Sequence, residues 1–290
     1  MSRRASLGVR RAPREPVEPT VPLLWVDAFA EGQLRGNPAA VCLLERPAPP
    51  EAMQALASEL GLSESAFVWP DGAAFSLRWF TPVTEVDLCG HATVAAAHAL
   101  AETGRCRDHK VRFATRSGTL EATIRGEVTI DLPAESPVRV EPPRQLAARW
   151  PVVGAAEGRF DLLVELADAE AVRRADPRSV DLLALPYRGV AVTARGERAR
   201  GGADADYVLR FFAPRVGVAE DPVTGSAQCL LGPYWSAELG RAQLRAVQLS
   251  ARGGVLRVAV GSERVAVGGR AETVLSGQVQ GVTARCLLGA

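Results

Sequence analysis

One helix with almost no polar side constrains the fold of this chain more than any other sequence feature. The stretch "EVDLCGHATVAAAHAL" begins at Glu85, and between Ala92 and Ala101 only Thr93 and His98 are polar. A helix that is apolar on nearly every side has to be enclosed by other elements. Short strand patterns with Gly-rich turns surround it in the sequence. We therefore expect a curved sheet that wraps around this central helix.

A later stretch repeats this one in outline. Both "LRWFTPVTEVDLCGHATVAAAHAL" and "LRFFAPRVGVAEDPVTGSAQCLL" contain Leu-Arg, two aromatic residues, a proline, a glutamate and a Gly-His-Ala or Gly-Ser-Ala opening of a helix. Three pairs of polar residues coincide in this alignment: Glu85 with Glu220, Cys89 with Thr224, and His91 with Ser226. A long-period repeat predicts duplicated domains. We expect an α+β protein of two similar domains, each a curved, mostly antiparallel, barrel-like sheet around a central apolar helix, with a cleft between them.

The sequence pattern divides the chain into three parts. Residues 1–20 are basic and Pro-rich and lack the apolar core of a secretory signal, so we expect a disordered tail there. The best linker candidate is the Pro-rich, aperiodic stretch at 133–145. We place an N-terminal domain at 21–134 and a C-terminal domain at 135–290. The last strand, at about 277–290, can cross back to the first domain.

Composition excludes several classes of function. The formal net charge is +1, which gives no field for nucleic acid or an acidic membrane, and we expect neither as a partner. Lys110 is the only lysine, which nearly excludes Schiff-base chemistry and a phosphate-binding GKS or GKT loop. The five cysteines are odd in number and scattered, so we expect free thiols and a reducing, cytoplasmic location. Neither CxxC nor HxxxH occurs, and no metal and no cofactor are expected.

The amino ends of the two enclosed helices are the places where polar chemistry is expected. Such an end presents free N–H groups and a partial positive charge. Gly90 and Gly225 stand at these ends, and glycine lets a ligand approach the backbone closely. Two ends that face each other across the cleft would hold a small carboxylate or a developing enolate.

Five motifs make this expectation more specific. "FAEGQLRGNPAAV", "LSESAFV", "DLCGHAT", "FAP…EDPVTGSA" and "SARGG" occur in this order between about residues 23 and 277. Together they resemble the motif set of the PhzF (phenazine biosynthesis-like) family. The resemblance implies the diaminopimelate epimerase-like fold, cofactor-independent isomerisation by proton transfer, and usually a homodimer. It also implies a set of site residues: Glu64 as the acid/base, His91, Asp221 and Ser226 as substrate-binding groups, Asn37 nearby, and Gly90 and Gly225 as donors of backbone N–H groups.

The expected reaction is a proton transfer on a small carboxylate-bearing substrate of unknown identity. Glu64 would take a proton from one carbon, and it or a nearby group would return the proton at a conjugated position. The competing interpretation makes Glu64 a solvated carboxylate at a strand end and His91 a helix-end histidine bonded to the backbone. The protein would then be a catalytically silent small-ligand binding or interaction protein on the same fold. His98 has no motif support, and we expect a core or domain-contact residue.

Two other enzyme classes use residues of the same types. Ser226, His91 and Asp221 invite a hydrolase triad, but the sequence after Ser226 lacks the last glycine of a G-x-S-x-G turn. A two-thiol racemase would need a second thiol opposite Cys89, and the matching position holds Thr224, whose hydroxyl is too weak an acid. We therefore rank both classes below the proton-transfer isomerase.

Overall fold

The computed structural model describes residues 19–32, 35–106, 108–196 and 204–289. In this part of the chain 18 strands form one connected sheet. The strands are β1 (Val21–Ala28), β2 (Asn37–Leu43), β3 (Glu64–Asp71), β4 (Ala74–Phe80), β5 (Glu85–Val86), β6 (Lys110–Thr115), β7 (Gly118–Ile124), β8 (Val128–Pro133), β9 (Val138–Arg139), β10 (Val152–Glu157), β11 (Asp161–Leu166), β12 (Gly189–Arg195), β13 (Tyr207–Ala213), β14 (Val218–Asp221), β15 (Gln243–Gln248), β16 (Gly254–Val260), β17 (Arg264–Gly269) and β18 (Ala271–Val279). The α-helices are α1 (Pro50–Leu60), α2 (Gly90–Glu102), α3 (Arg144–Ala147), α4 (Ala169–Arg174), α5 (Gln228–Leu239) and α6 (Gly281–Leu288). Of the predicted tail at 1–20, residues 1–18 lie outside the described part.

The strand pairings occur twice in the same order. In the first half, β1 pairs antiparallel with β2, β2 runs parallel to β3, β3 is antiparallel to β4, β4 is parallel to β6, and β6, β7 and β8 continue antiparallel. In the second half, β10, β11, β12, β13, β15, β16 and β17 repeat every one of these pairings in the same direction. Helices α1 and α4 supply the crossover between the first parallel pair of each half. The predicted α+β fold of two similar, mostly antiparallel units is confirmed.

The two units share one sheet because β8 pairs antiparallel with β17. Val267 of β17 lies opposite Ile130 of β8, and both side chains are buried. This pairing takes up the free edge of the last strand in each unit, so that strand does not pair with the first strand of its own unit. The predicted barrel-like sheets therefore curve around their helices but stay open.

Helix α2 is enclosed, as its apolar sequence predicts. Ten of its residues are buried, and it packs against β1, β2, β3, β7, β8 and β18. Its many alanines let the strands approach closely, and the larger Val94 and Leu100 fill the remaining space. Each of these two larger side chains contributes about 1.5–3 kcal/mol by its burial. The hydroxyl of Thr93 donates to the carbonyl of Cys89 at 2.6 Å, which satisfies a polar group inside the apolar enclosure.

Helix α5 begins later than the sequence predicts. We expected it to start near Gly225, whereas residues 225–227 form a tight turn whose carbonyls accept i→i+3 hydrogen bonds, and the α-helix begins at Gln228. Pro233 lies inside this helix and has no N–H to donate to the carbonyl of Cys229. The backbone N–H of Glu135 donates to that carbonyl instead, at 2.9 Å. The predicted linker is thereby tied to the second central helix.

The chain returns to the first unit at its end. β18 pairs antiparallel with β1, and α6 packs against α1. The last strand therefore lies at Ala271–Val279 and not at about 277–290, because the chain turns at Gly281 (φ +63°) into a helix. The boundary between residues 134 and 135 remains a prediction. No helix in the described part of the chain is long and apolar enough to cross a membrane.

Candidate active site

The beginnings of the two central helical segments lie against each other. A Cβ atom added to Gly90 would lie 3.5 Å from the backbone nitrogen of Ser226 and 3.6 Å from the Cα of Gly225. Gly90 is the first residue of α2, and residues 225–227 form the turn that leads into α5. The free N–H groups of both segments are therefore close in space. Together they form a place where a small anion can be bound by backbone donors.

Glu64 is the first residue of β3 and lies near the beginning of α2. Its side chain is 16% exposed, and its Oε2 atom lies 3.2 Å from Nε2 of His91. Burial raises the pKa of the Glu64 carboxyl above its usual value of 4.5, and a hydrogen bond from Ser63 partly offsets this effect. The structure thus brings Glu64 and His91 together, although they lie on different elements.

The neighbours of His91 define its tautomer. Its Nδ1 atom is 3.1 Å from Nδ2 of Asn37, whose two hydrogens have closer acceptors, and 3.6 Å from Sγ of Cys89, which can donate or accept. The Nε2 atom lies 3.2 Å from Oε2 of Glu64. An ionised carboxylate can only accept, so when Glu64 is ionised the proton of the neutral ring is on Nε2 and Nδ1 is the acceptor. Burial lowers the pKa of His91 from 6.5, although Asp221 opposes this effect. At neutral pH the ring is accordingly uncharged, and its contact with Glu64 is a hydrogen bond rather than a full ion pair.

Asn37 connects residues of both halves. It is the first residue of β2 and is fully buried. Besides its contact with His91, its Nδ2 atom donates to Oδ1 of Asp221 at 2.8 Å and to the carbonyl oxygen of Val223 at 2.9 Å. Because these acceptors lie about 185 residues further along the chain, only the tertiary structure brings them to Asn37.

Asp221 ends β14 and has partners on both carboxylate oxygens. Oδ1 accepts from Asn37, and Oδ2 accepts from the hydroxyl of Thr224 at 2.5 Å. Burial raises the pKa of Asp221 above its usual value of 3.8, while His91 and these hydrogen bonds oppose the effect. The carboxylate of Asp221 thus serves as a fixed link between Asn37 and the turn that precedes Gly225.

Cys89 lies beside this cluster but is unsuited to act as a thiolate. Burial raises the pKa of its thiol well above 9.0, and the nearby carboxylate of Glu64 adds to the effect. Thr224, which matches Cys89 in the repeat, has its hydroxyl bonded to Asp221. Cys89 is therefore held as a neutral thiol, and a threonine stands where a two-thiol racemase would need its second cysteine.

A metal ion fits the same residues poorly. Glu64, Cys89 and His91 each offer a ligand atom, and these atoms lie within 4.8 Å of one another. However, Cys89 approaches Nδ1 of His91, whereas Glu64 approaches Nε2. One ion binds one ring nitrogen, so the two contacts fit hydrogen bonding better than shared coordination.

Ser226 and His98 do not join the hydrogen-bonded cluster around His91 through their side chains in the described part of the chain. Among the described residues no hydrogen bond joins Ser226 to His91, which leaves a hydrolase triad without its central contact. What faces Gly90 is the backbone N–H of Ser226. His98 lies away from the cluster, with Nε2 3.1 Å from the hydroxyl oxygen of Thr273 and 3.1 Å from Oε2 of Glu102. It is a contact between α2 and β18, which agrees with the predicted packing role.

The repeat supplies one ion pair in each half that holds the segment leading to the site. Arg78 and Glu85 form two hydrogen bonds of 2.6 Å, and the matching Arg210 and Glu220 form two of 2.7 and 2.9 Å. Each guanidinium also lies over the aromatic ring two residues further on, at 5.2 Å in the first half and 4.9 Å in the second. Each glutamate lies four residues before the matched pair Cys89 and Thr224. Both approaches to the site are therefore fixed in the same way.

Arg252 of the "SARGG" motif ties that motif to the "GNP" motif. Its Nε atom donates to the carbonyl of Gly36 at 2.8 Å, and Nη2 donates to Oδ2 of the buried Asp27 at 2.8 Å. The backbone N–H of Gly36 donates to the carbonyl of Gly253 at 2.8 Å. These contacts hold the residue before Asn37 in position.

Gln248 is a site residue that the sequence analysis missed. It is 1% exposed and hydrogen-bonds to Asp221 and Thr224. A signal was present: β15 buries every second residue, Leu244, Ala246 and Gln248. A glutamine on the apolar face of an alternating strand needs partners inside the protein. It stands two residues before "SARGG", outside the quoted motifs.

Comparisons with known proteins agree on one family. The family model for phenazine biosynthesis-like proteins (PhzC-PhzF) matches residues 26–277. A Pseudomonas aeruginosa protein named an uncharacterized isomerase is 45% identical over 258 residues, which are 88% of this chain and 97% of that protein. An uncharacterized isomerase of Halalkalibacterium halodurans is 41% identical and covers 90% of this chain and 98% of its own length. The crystal structure of a PhzF family protein from Enterococcus faecalis superimposes with a TM-score of 0.84 at 39% identity, over 90% of this chain and 99% of that one.

Proposed function

The chain belongs to the phenazine biosynthesis-like (PhzC-PhzF) family, and from that premise we propose that it is a cofactor-independent isomerase that moves a proton on a small carboxylate-bearing substrate. Glu64 is the general acid/base. The substrate lies between the two domains, where the beginning of α2 meets the turn before α5. One observation carries the proposal: a carboxylate 3.2 Å from Nε2 of a buried histidine, beside two converging helix beginnings.

The environment of Glu64 suits a general base. A base works best when its pKa lies near the working pH, and burial moves the pKa of Glu64 upward in that direction. The Nε2–H of His91 faces the carboxylate and holds its orientation. Ser63 adds a second polar group within 3.5 Å of the same ring nitrogen. Such positioned acid/base help is worth about 10²–10⁴-fold in rate.

The converging backbone supplies the charge stabilisation that the reaction needs. Gly90 leaves open the space in front of the backbone nitrogen of Ser226. N–H groups aimed at this space stabilise a carboxylate in the ground state and the negative charge that develops during reaction. Neither task requires a lysine or arginine side chain at this position.

The proposed step balances without an added oxidant or reductant. The Glu64 carboxylate takes a proton from a carbon next to a conjugated system, and the C–H electron pair enters that system as a delocalised anion. Protonated Glu64, or a neighbouring acid, then returns a proton to a different carbon of the same system. A double bond shifts position, and the composition of the substrate does not change.

Proton–deuterium exchange tests this proposal without a known product. A panel of cyclic and acyclic amino and hydroxy acids is incubated with the protein in deuterated water and analysed by mass spectrometry. We expect deuterium at a carbon of at least one compound, and loss of about 10²–10⁴-fold in that rate in Glu64→Gln. The matched control is Glu102→Gln, because Glu102 also lies 3.1 Å from a histidine but on the far part of α2.

Two results would contradict the proposal. If Glu64→Gln exchanges at the parental rate, Glu64 is not the acid/base. If compounds of the panel bind, as measured by thermal shift, but none exchanges, the alternative of a catalytically silent binding protein on this fold is favoured.

We also propose a cytoplasmic homodimer that binds neither nucleic acid nor membranes. The net charge of +1 supports the absence of nucleic-acid and acidic-membrane binding, and the family resemblance supports the dimer. Light scattering after size-exclusion chromatography measures the oligomeric state directly. A monomer at all concentrations would reject this part of the proposal.

A further inference from the structure

We propose that Gln248 is a positioning residue of this site: its side-chain amide holds the turn from Asp221 to Thr224 in the form that aligns Asp221, Asn37 and His91. The consequence for turnover rests on the proposed function, whereas the consequence for His91 rests on geometry alone.

In the described part of the chain, the side-chain hydrogen bonds of Gln248 all go to this turn. Its Oε1 atom accepts from the backbone N–H of Thr224 at 2.8 Å. Its Nε2 atom donates to the carbonyl of Asp221 at 2.7 Å and to the hydroxyl oxygen of Thr224 at 3.2 Å. A primary amide has two N–H donors, so both are used on the turn. A side chain 1% exposed to solvent has no water to replace these partners.

The amide of Gln248 also sets the direction of the Thr224 hydroxyl. Because the oxygen of this hydroxyl accepts from Gln248, its own hydrogen is free to point to Oδ2 of Asp221, 2.5 Å away. Oδ1 of Asp221 then accepts from Asn37, whose amide nitrogen lies 3.1 Å from Nδ1 of His91. Hydrogen bonds thereby connect Gln248 to Asn37, whose amide is in polar contact with the ring that faces Glu64.

The same amide fixes the beginning of the second helical segment. Thr224 immediately precedes Gly225 and Ser226, and its backbone N–H is held by Gln248. The backbone nitrogen of Ser226 faces Gly90. Without Gln248 the turn loses three hydrogen bonds at once, and both the carboxylate of Asp221 and the N–H of Ser226 are free to move.

Gln228 provides a matched control for this inference. It is also a fully buried glutamine, and it also bonds to Thr224, whose carbonyl accepts from its Nε2 at 3.1 Å. Its Oε1 atom accepts from the hydroxyl of Tyr207, inside the second half. It makes no hydrogen bond to Asp221 among the described residues. Gln248→Met and Gln228→Met each remove a buried amide beside Thr224, but only the first removes the contact with Asp221.

The three histidines of the chain allow a direct readout by nitrogen NMR of the imidazole rings. The signals are assigned with His98→Gln and His109→Gln. We expect Gln248→Met to shift the His91 ring nitrogens away from the pure Nε2–H tautomer and to lower exchange turnover about 10- to 100-fold. Gln228→Met should leave the His91 signals as in the parent protein. A folded Gln248→Met with parental His91 signals and parental turnover would overturn the inference.

A second variant covers the case in which Gln248→Met does not fold. In Gln248→Glu, a protonated carboxyl can still accept from Thr224 and donate to the carbonyl of Asp221, whereas the ionised form cannot donate. In the parent protein Glu64, Asp221 and His91 itself titrate in this region. Relative to the parent at each pH, we expect unchanged His91 signals at low pH and an additional change as the new carboxyl ionises. A pH profile identical to that of the parent would count against the inference.

The NMR readout needs no substrate, so the two proposals fail separately. If His91 responds to Gln248 variants but Glu64→Gln keeps full turnover, the proposed acid/base role is wrong and the positioning role stands. If Glu64→Gln is inactive and the Gln248 variants keep parental His91 signals and rates, the positioning role is wrong.

Discussion

Gly90 and Gly225 lie close together although they are 135 residues apart in the sequence (225 minus 90): a Cβ atom added to Gly90 would lie 3.6 Å from the Cα of Gly225. Gly90 opens α2, and Gly225 begins the turn into α5. A Cβ atom on Gly225 would approach the ring of Phe29 to 3.2 Å, so a side chain is also unfavourable there. The contact brings two sets of free N–H groups to one place, which is the condition for the proposed anion site.

Gly90→Ala should separate stability from activity. The added methyl group would make only ordinary contacts, 3.5 Å or more from its neighbours, so the free energy of unfolding should change by no more than about 0.5 kcal/mol. The same methyl group fills the space in front of the Ser226 nitrogen, and exchange turnover should fall about 10²-fold. Denaturant unfolding and the exchange assay measure the two effects.

The control for this change is Gly154→Ala in β10. A Cβ atom there would lie 3.4 Å from Oε2 of Glu165, with no contact to the site. It should leave turnover at the parental level. Equal losses in the two variants would show that the space beside Gly90 is not a binding site.

His91 and His98 lie on the same helix, and their substitution should have unequal effects. His91→Gln removes the Nε2–H that faces Glu64 and should lower exchange turnover by about 10²-fold or more. His98→Gln removes a contact with Thr273 that lies outside the cluster and should leave the rate within about a factor of two of the parental rate. A similar loss of turnover in both variants would undo this ranking.

Stability against pH should change in opposite directions for Glu64→Gln and Glu85→Gln. Burial raises the pKa of folded Glu64 above 4.5, so its favourable contribution is present below pH 4.5 and is lost as the pH rises through the folded pKa. Hydrogen bonding to Arg78 lowers the pKa of folded Glu85 below 4.5, so its contribution is present above pH 4.5 and is lost as the pH falls through the folded pKa.

Relative to the parent protein, Glu64→Gln should therefore gain stability as the pH rises from 4.5 through the folded pKa of Glu64, and Glu85→Gln should lose stability as the pH rises from the folded pKa of Glu85 to 4.5. Urea unfolding between about pH 3 and pH 8 measures both curves. If the two difference curves have the same sign of slope, the burial of Glu64 does not control its ionisation.

The duplicated ion pairs should each stabilise the fold. Arg78→Met leaves Glu85, which is 13% exposed, without its bidentate partner, at a cost of about 1–3 kcal/mol. Arg210→Met should cost more, because Nη1 of Arg210 also donates to the carbonyl of Ala175 at 2.7 Å. Arg174→Met removes an ion pair from a guanidinium that is 79% exposed and should change stability by no more than about 0.5 kcal/mol. Chemical denaturation gives the three values, and a cost for Arg174→Met equal to that of Arg78→Met would contradict the assignment.

The pattern of apolar residues predicted the two enclosed helices, because the apolar share of a helix indicates how much of its surface is buried. The nearly apolar run after Gly90 required enclosure by other elements. The repeat that begins with Leu-Arg indicated a second unit of the same kind. The structure extends that short repeat to seven strands and two helices in each half. Strand periodicity alone did not show this extension, since most of the repeated strands share pairing order and not sequence.

The sequence predicted only those site residues that belong to the recognised motifs. The resemblance named Glu64, His91 and Asn37, and the structure brings these three side chains together. Their chemical roles remain predictions. Gln248 lay outside the motifs, and its importance depends on which turn its buried amide meets, which no spacing in the sequence specifies.

By itself, the sequence determined the enclosed α2, the alternating strands, the duplicated segments and the glycines at the helix beginnings, because each depends on side chains close together along the chain. Only the tertiary structure decided that β8 pairs with β17, that β18 returns to β1, and that Gly90 meets Gly225. Those contacts join residues far apart in the sequence, and their formation depends on how the two units pack as wholes. The candidate site spans both halves because that packing brings Asn37 of the first half against Asp221 of the second.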